Sequence, residues 1–262
     1  MSLDVALNFV PTFALVFFRL AGMMAFAPML GSGRVPRRVR VLLALVMSLP
    51  MVPLAQGRFT IPQTTWGLAL GIGSELIFGI AMGMSVSMVF IAAQWAGEIM
   101  GQQMGLNISE VLDPQFGQQG SLVGDLYFML TIVVFLSPPV NGYRALIEGV
   151  AGSFKSLPLL SVGMDRPMFD SLTGLFEAST VLAIRLAAPM LMTMLIVDVA
   201  LGCISRAVPQ INIMTAGLTV RSLVGAAVLL LGLLLTQRVI TEALHRSVDA
   251  AHLRWTTPVP GQ

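Results

Sequence analysis

Apolar residues in this chain gather into long uninterrupted runs rather than alternating with polar ones, and such runs predict helices. Val5 to Leu30 is apolar apart from Asn8, Thr12 and Arg19. At about 1.5 Å per residue it is long enough to cross a bilayer. No basic residue precedes it and Arg19 lies inside it, so a retained first helix is expected although Ala25-Phe26-Ala27 looks like a cleavage site. Val41 to Leu54 carries Pro50 and Pro53 and spans only about 20 Å, too short to cross unaided. Trp66 to Trp95, with Glu75 its sole charge, spans about 45 Å. Leu126 to Val140 is short again. Val181 to Ile204 is long enough but holds Arg185, Pro189 and Asp198, and Leu223 to Leu235 is short unless extended back across Arg221. Six matched spans do not follow. The expected fold is all-α and integral to or associated with a membrane, built of tilted and broken helical hairpins within a hetero-oligomeric helical assembly.

The charges agree with this mismatch. Arg34, Arg37, Arg38 and Arg40 sit close to an apolar end and mark a cytoplasmic side, where they can also meet anionic lipid headgroups. Six alternating segments would then put Gln94 to Asp125, which has no Lys or Arg, on that same side, and Arg58, Arg144, Lys155 and Arg166 on the other. The positive-inside rule fails for that topology.

One stretch reads as the working part. Gly97, Gly101 and Gly105 recur every four residues and leave a strip of bare backbone for close helix packing. Asn107, Asp113-Pro114, Gly117 and Gly120 then break the helix, because Pro114 drives Asp113 out of the α region and the glycines permit turns. The resulting polar loop cannot face lipid, so it is buried in protein, lines a wet cavity or lies outside the membrane. A second ridge, Gly67, Gly71, Glu75, Gly79 and Gly83, has the same spacing. The element facing Glu75 is expected to supply a donor or a cation. Met100 and Met104 form an i, i+4 pair beside the polar loop, suited to sealing around varied surfaces as well as to filling a core.

Arg19, Glu75, Arg185, Asp198 and Arg221 interrupt apolar runs, at about 2.5 to 3.5 kcal/mol each if they faced lipid at mid-bilayer. They must pair or reach water, within the chain or across a subunit boundary; Glu98 joins them as a contact candidate. Arg185 and Asp198 are about 20 Å apart along one helix and cannot pair unless it breaks. Composition narrows the classes further. With 56% hydrophobic and 11% charged residues and a mean hydropathy of +0.85, a water-soluble enzyme is excluded, since soluble domains carry about 25% charge. The net charge of +2 gives nucleic-acid binding no support. One cysteine and two histidines, His245 and His252, offer no metal or nucleophile motif in the apolar region, and no cofactor is expected.

Phe18-Arg19-Leu20-Ala21-Gly22, Ala27-Pro28 and Val35-Pro36-Arg37-Arg38-Val39-Arg40 begin a pattern that continues through Gly97-Glu98-Ile99-Met100-Gly101-Gln102-Gln103-Met104-Gly105-Leu106 and Asp113-Pro114-Gln115. Asn141-Gly142, Ser153-Phe154-Lys155-Ser156-Leu157-Pro158-Leu159 and Arg206-Ala207-Val208-Pro209-Gln210-Ile211-Asn212 complete it. Nearly end to end, the chain resembles the FliR export-gate family, whose injectisome counterpart is SctT. It departs from the pattern at Tyr143, Pro138-Pro139 and Thr219. The resemblance implies a non-catalytic channel subunit of the flagellar type III export gate in the bacterial inner membrane, at the centre of the basal body. It implies FliP and FliQ as fellow gate subunits, the export switch protein FlhB as a neighbour, lipid at the periphery and unfolded flagellar subunits as cargo. Residues 1–177 would be the FliP-like part and 178–262 the FliQ-like hairpin and tail. Met100, Met104, Gly105, Leu106, Asn107, Asp113, Pro114, Gln115 and Phe116 would belong to a lumenal plug. The alternative is a secondary transporter of a small solute, against which stands the lack of a second copy of the central motif.

Overall fold

The computed structural model describes residues 3–31, 35–55, 64–106, 121–138, 140–160, 166–208 and 213–256. These residues form seven α-helices: α1 (Leu3–Phe26), α2 (Arg37–Ala55), α3 (Thr65–Gln103), α4 (Leu122–Leu136), α5 (Gly142–Ser156), α6 (Arg166–Ala207) and α7 (Ile213–Thr256). There is no strand among them. The all-α membrane fold expected from the apolar runs is therefore what the chain adopts, and α1, α2, α3, α6 and α7 are each long and apolar enough to cross a membrane.

Local sequence explains where the helices start and stop. The Thr64 hydroxyl accepts from the Gly67 N–H at 3.3 Å and opens α3, and the Ser121 hydroxyl does the same for Gly124 and opens α4. Nothing in the 39 residues of α3 breaks it, because no proline falls inside. At its end, Gly105 takes φ 74°, the Leu106 N–H donates to Gly101 O at 3.1 Å and the Gly105 N–H donates to Gln102 O at 3.0 Å. This is a Schellman cap, and the left-handed position favours glycine.

One expectation about length is corrected. The run at 41–54 is too short by itself, yet α2 begins four residues earlier, on its arginines, and reaches Ala55 through both prolines, 19 residues or about 28 Å. Its first turn lies past the apolar run because arginine side chains extend away from the helix end to solvent. For the 223–235 run the extension across Arg221 is the one taken: α7 runs back to Ile213 and forward to Thr256. Pro189 lies inside α6 without ending it.

The helices pack as two units that interleave along the chain, one from 1–88, 136–176 and 244–262, the other from 89–135 and 177–243. In the first, Leu15, Leu20, Val52, Phe78, Phe154 and Leu159 form a sealed core, α1 packs on α2, and α2 on α5. Ser247 near the end of α7 donates to Ser85 O at 2.6 Å in the same unit. In the second, Phe90 meets Phe128 and Phe135 edge-on, at 5.9 and 5.4 Å between centroids, and Ala92, Ala93 and Ala96 allow close approach.

Candidate functional site

In the first unit, α1 brings Arg19 against α3. Its guanidinium Nε lies 2.5 Å from Glu75 Oε2, with the two side chains 1% and 0% exposed. Arg19 Nη1 also donates to Ser153 Oγ and to Leu157 O, each at 3.3 Å. Its cationic carbon sits 4.8 Å from the ring centres of both Phe78 and Phe154. The second carboxylate oxygen, Glu75 Oε1, accepts from the Leu160 N–H at 2.9 Å. Leu160 has φ 67°, a conformation that costs a residue with a side chain about 1 to 2 kcal/mol. A charge buried this deeply is tolerable only when paired and hydrogen-bonded; both partners are, although Arg19 Nη2 has no hydrogen-bond partner among the described residues. The pair thereby fastens three segments: α1, α3 and the turn after α5.

The glycine ridge makes that approach possible. A Cβ on Gly79 would lie 2.0 Å from Arg19 O, one on Gly83 2.4 Å from Met23 O, and one on Gly22 of α1 2.3 Å from Leu76 O. The backbones of α1 and α3 are thus in direct contact from Leu76 to Gly83, the turns that follow Glu75, as small residues permit. Gly71 faces the Leu160 side chain, and Gly67 is half-buried near the start of α3.

The second unit holds the end of α3. Gly97 packs on α4, where a Cβ would lie 2.5 Å from Val123 O, and Glu98, half-buried, accepts from Gln94 at 3.2 Å. Gly101 is buried, and Met100 and Met104 are buried at 2% and 3% exposure. Met104 rests on α7: its side chain fills the space over Gly225, and its carbonyl accepts from Ser222 Oγ at 3.1 Å. Gly105 and Leu106 form the cap, Leu106 exposed. Asp198 of α6 does not meet Arg185. Its Oδ1 lies 2.7 Å from Arg221 Nη2 of α7, with both side chains about two-fifths exposed. The N–H is not aimed at the oxygen, so this is a charge contact rather than a hydrogen bond. Arg185 lines an apolar cavity of ≈ 60 Å³.

Of the remaining candidates, Arg37 and Arg38 are exposed, and Arg40 is half-buried with Nη2 on Val35 O at 3.1 Å. Arg34, Asn107, Asp113, Pro114, Gln115 and Phe116 lie outside the described residues. On α5, the exposed Arg144 is held above its ordinary pKa by the hydrogen bond and then the charge of Glu148. No cluster of three or more His, Cys, Asp or Glu that would hold a metal occurs among the described residues.

Residues 10–247 match the model of the family described as Bacterial export proteins, family 1. The chain belongs to this family. Among the export family's curated members it is 29% identical to the flagellar biosynthetic protein FliR of Bacillus subtilis over 217 residues, covering 80% of this chain and 82% of that one. It is 28% identical to FliR of Escherichia coli over 211 residues, 80% of each chain. The surface presentation of antigens protein SpaR of Shigella flexneri is 27% identical over 212 residues, 79% of each. The candidate sites described above are contacts between helices.

Several contact residues escaped the reading of the export family's pattern as a set of sites. Ser153, Phe154 and Gly22 lie in segments that carry the resemblance and Phe78 in the apolar run 66–95, none singled out by its type or spacing. On α7, Gly217, Arg221 and Gly225 repeat at four-residue intervals, the same glycine-and-charge spacing as the ridge around Glu75, and that signal points to both the Asp198 contact and the Met104 seat.

Proposed function

We propose that this chain is a non-catalytic, channel-forming subunit of the flagellar type III export gate, seated in the bacterial inner membrane at the centre of the basal body. Its partners on this reading are FliP, FliQ and FlhB, and its cargo is unfolded flagellar protein. Residues 1–177 form the FliP-like part and 178–262 the FliQ-like hairpin. The observation that carries the reading is the family match over residues 10–247, in which FliR relatives recur.

The geometry supports it in one respect above others. The apolar window of α7 is 6% buried and that of α6 33%, so these helices present long apolar faces that a gate assembly would cover. The end of α3 is the complementary feature. Its buried methionines and glycine cap hold a fixed platform from which residues 107–120 act as the closure of the channel, with Met100 and Met104 beneath it. Deleting Asn107 to Gly120 tests the closure. Gate complexes should still assemble with the deleted chain while membranes holding them leak ions; full assembly with unchanged permeability would contradict the plug role.

A further inference from the structure

The cavity in the second unit is walled by apolar groups, with Met100, Pro189 and Gly232 among them and Arg185 its one charged residue. Its polar atoms other than Arg185 answer one another, since the hydroxyls of Tyr127 and Thr236 lie 3.3 Å apart. Gly232 opens onto free space, with nothing within 4 Å of where a Cβ would stand. Arg185 is exposed at the cavity and makes no hydrogen bond or ion pair among the described residues. It stands thirteen residues into the 36-residue apolar window Leu172–Ala207 of α6, which at about 54 Å exceeds a hydrocarbon core of about 30 Å and so leaves room for a long cationic side chain to reach headgroups. On α7, Arg238 lies in sequence between the cavity residues Thr236 and Val239 without lining the cavity itself, and it too has no partner among the described residues.

An apolar hollow lined by one unpartnered cation asks for a molecule that is anionic at one end and greasy at the other. We propose that this pocket binds an anionic phospholipid, its phosphate on the Arg185 guanidinium and part of an acyl chain along Pro189 and Gly232. A guanidinium takes phosphate oxygens in a two-pronged contact, which suits it better than a lysine to this role. A free phosphate or a partner's carboxylate would meet the charge but leave the hollow empty.

The test uses the full chain purified in mild detergent with equimolar phosphatidylglycerol and phosphatidylcholine of identical chains, with bound lipid counted by native mass spectrometry. Wild type should retain phosphatidylglycerol in preference. Arg185→Gln should bind it about fivefold more weakly, the effect of one basic side chain near an anionic surface. Gly232→Leu should also lose it with the arginine intact, while circular dichroism confirms that both variants keep their helix content. Equal retention of the two lipids, or undiminished phosphatidylglycerol on Arg185→Gln, would overturn the proposal. So would displacement of the lipid by an equal concentration of inorganic phosphate, which would leave only an anion site, or by co-expressed gate subunits, which would make the pocket a protein interface. Unchanged lipid retention by Gly232→Leu would contradict the acyl-chain half of it.

Discussion

The two ion pairs that join different helices among the described residues have the same chemistry and opposite surroundings. Arg19 and Glu75 are sealed from solvent, hydrogen-bonded on several sides and bracketed by two phenylalanine rings. Asp198 and Arg221 lie at a similar separation but two-fifths exposed, without an aligned hydrogen bond. The first pair is held by groups of the chain itself, with Arg19 Nη2 alone of its polar atoms left without a hydrogen-bond partner among the described residues. The second belongs to a helical hairpin whose apolar faces, among them Leu230, Leu231 and Leu234 at 71%, 85% and 75% exposure, have no cover in the isolated chain. What differs is how far each region depends on something outside the chain to hold it, and substitutions should follow that difference.

The largest effect is expected from Glu75→Ala, which leaves Arg19 charged and unpaired in a sealed core. Loss of one member of a buried pair costs about 3 to 5 kcal/mol, read as a collapse of folded yield or of the denaturant midpoint in detergent. A smaller loss for the double replacement Arg19→Met with Glu75→Leu would sharpen the point, since an apolar pair strands no charge. Next comes Gly79→Ala. Its Cβ meets backbone, not a flexible side chain, so the helices must part at about 1 to 3 kcal/mol, visible as a lowered thermal midpoint. Gly105→Ala should cost about 1 to 2 kcal/mol through its left-handed backbone, measured in the same way. Least of all is Arg221→Gln, expected within about 1 kcal/mol because solvent already screens that contact; a loss as large as that of Glu75→Ala would erase the distinction between the two regions.

Much of the fold is legible along the chain because membrane helices announce themselves by apolarity, and α1, α3 and α6 coincide with long runs. Helix ends are less legible. Apolarity stops at Val41, but the helix does not, since an arginine-bearing first turn folds as well as an apolar one. The ridge at Gly71, Glu75, Gly79 and Gly83 is visible as spacing, yet its partner is not. Arg19 is 56 residues away, and only tertiary packing decides whether α1 or some other helix lies against the bare backbone. The same holds for Asp198, whose distance from Arg185 is fixed by one helix, whereas its meeting with Arg221 depends on how α6 and α7 register.

The most direct measurement follows the bare hairpin face. In a Cys203→Ser background, Leu231→Cys should react readily with a lipophilic maleimide when the chain is purified alone, because the position is open. Co-purified with the proposed gate subunits, the same cysteine should be protected by about tenfold or more, the change expected when about 1.4 kcal/mol or more of contact closes over it. Equal labelling in the two states would contradict the account, since the hairpin would then have no subunit to complete it.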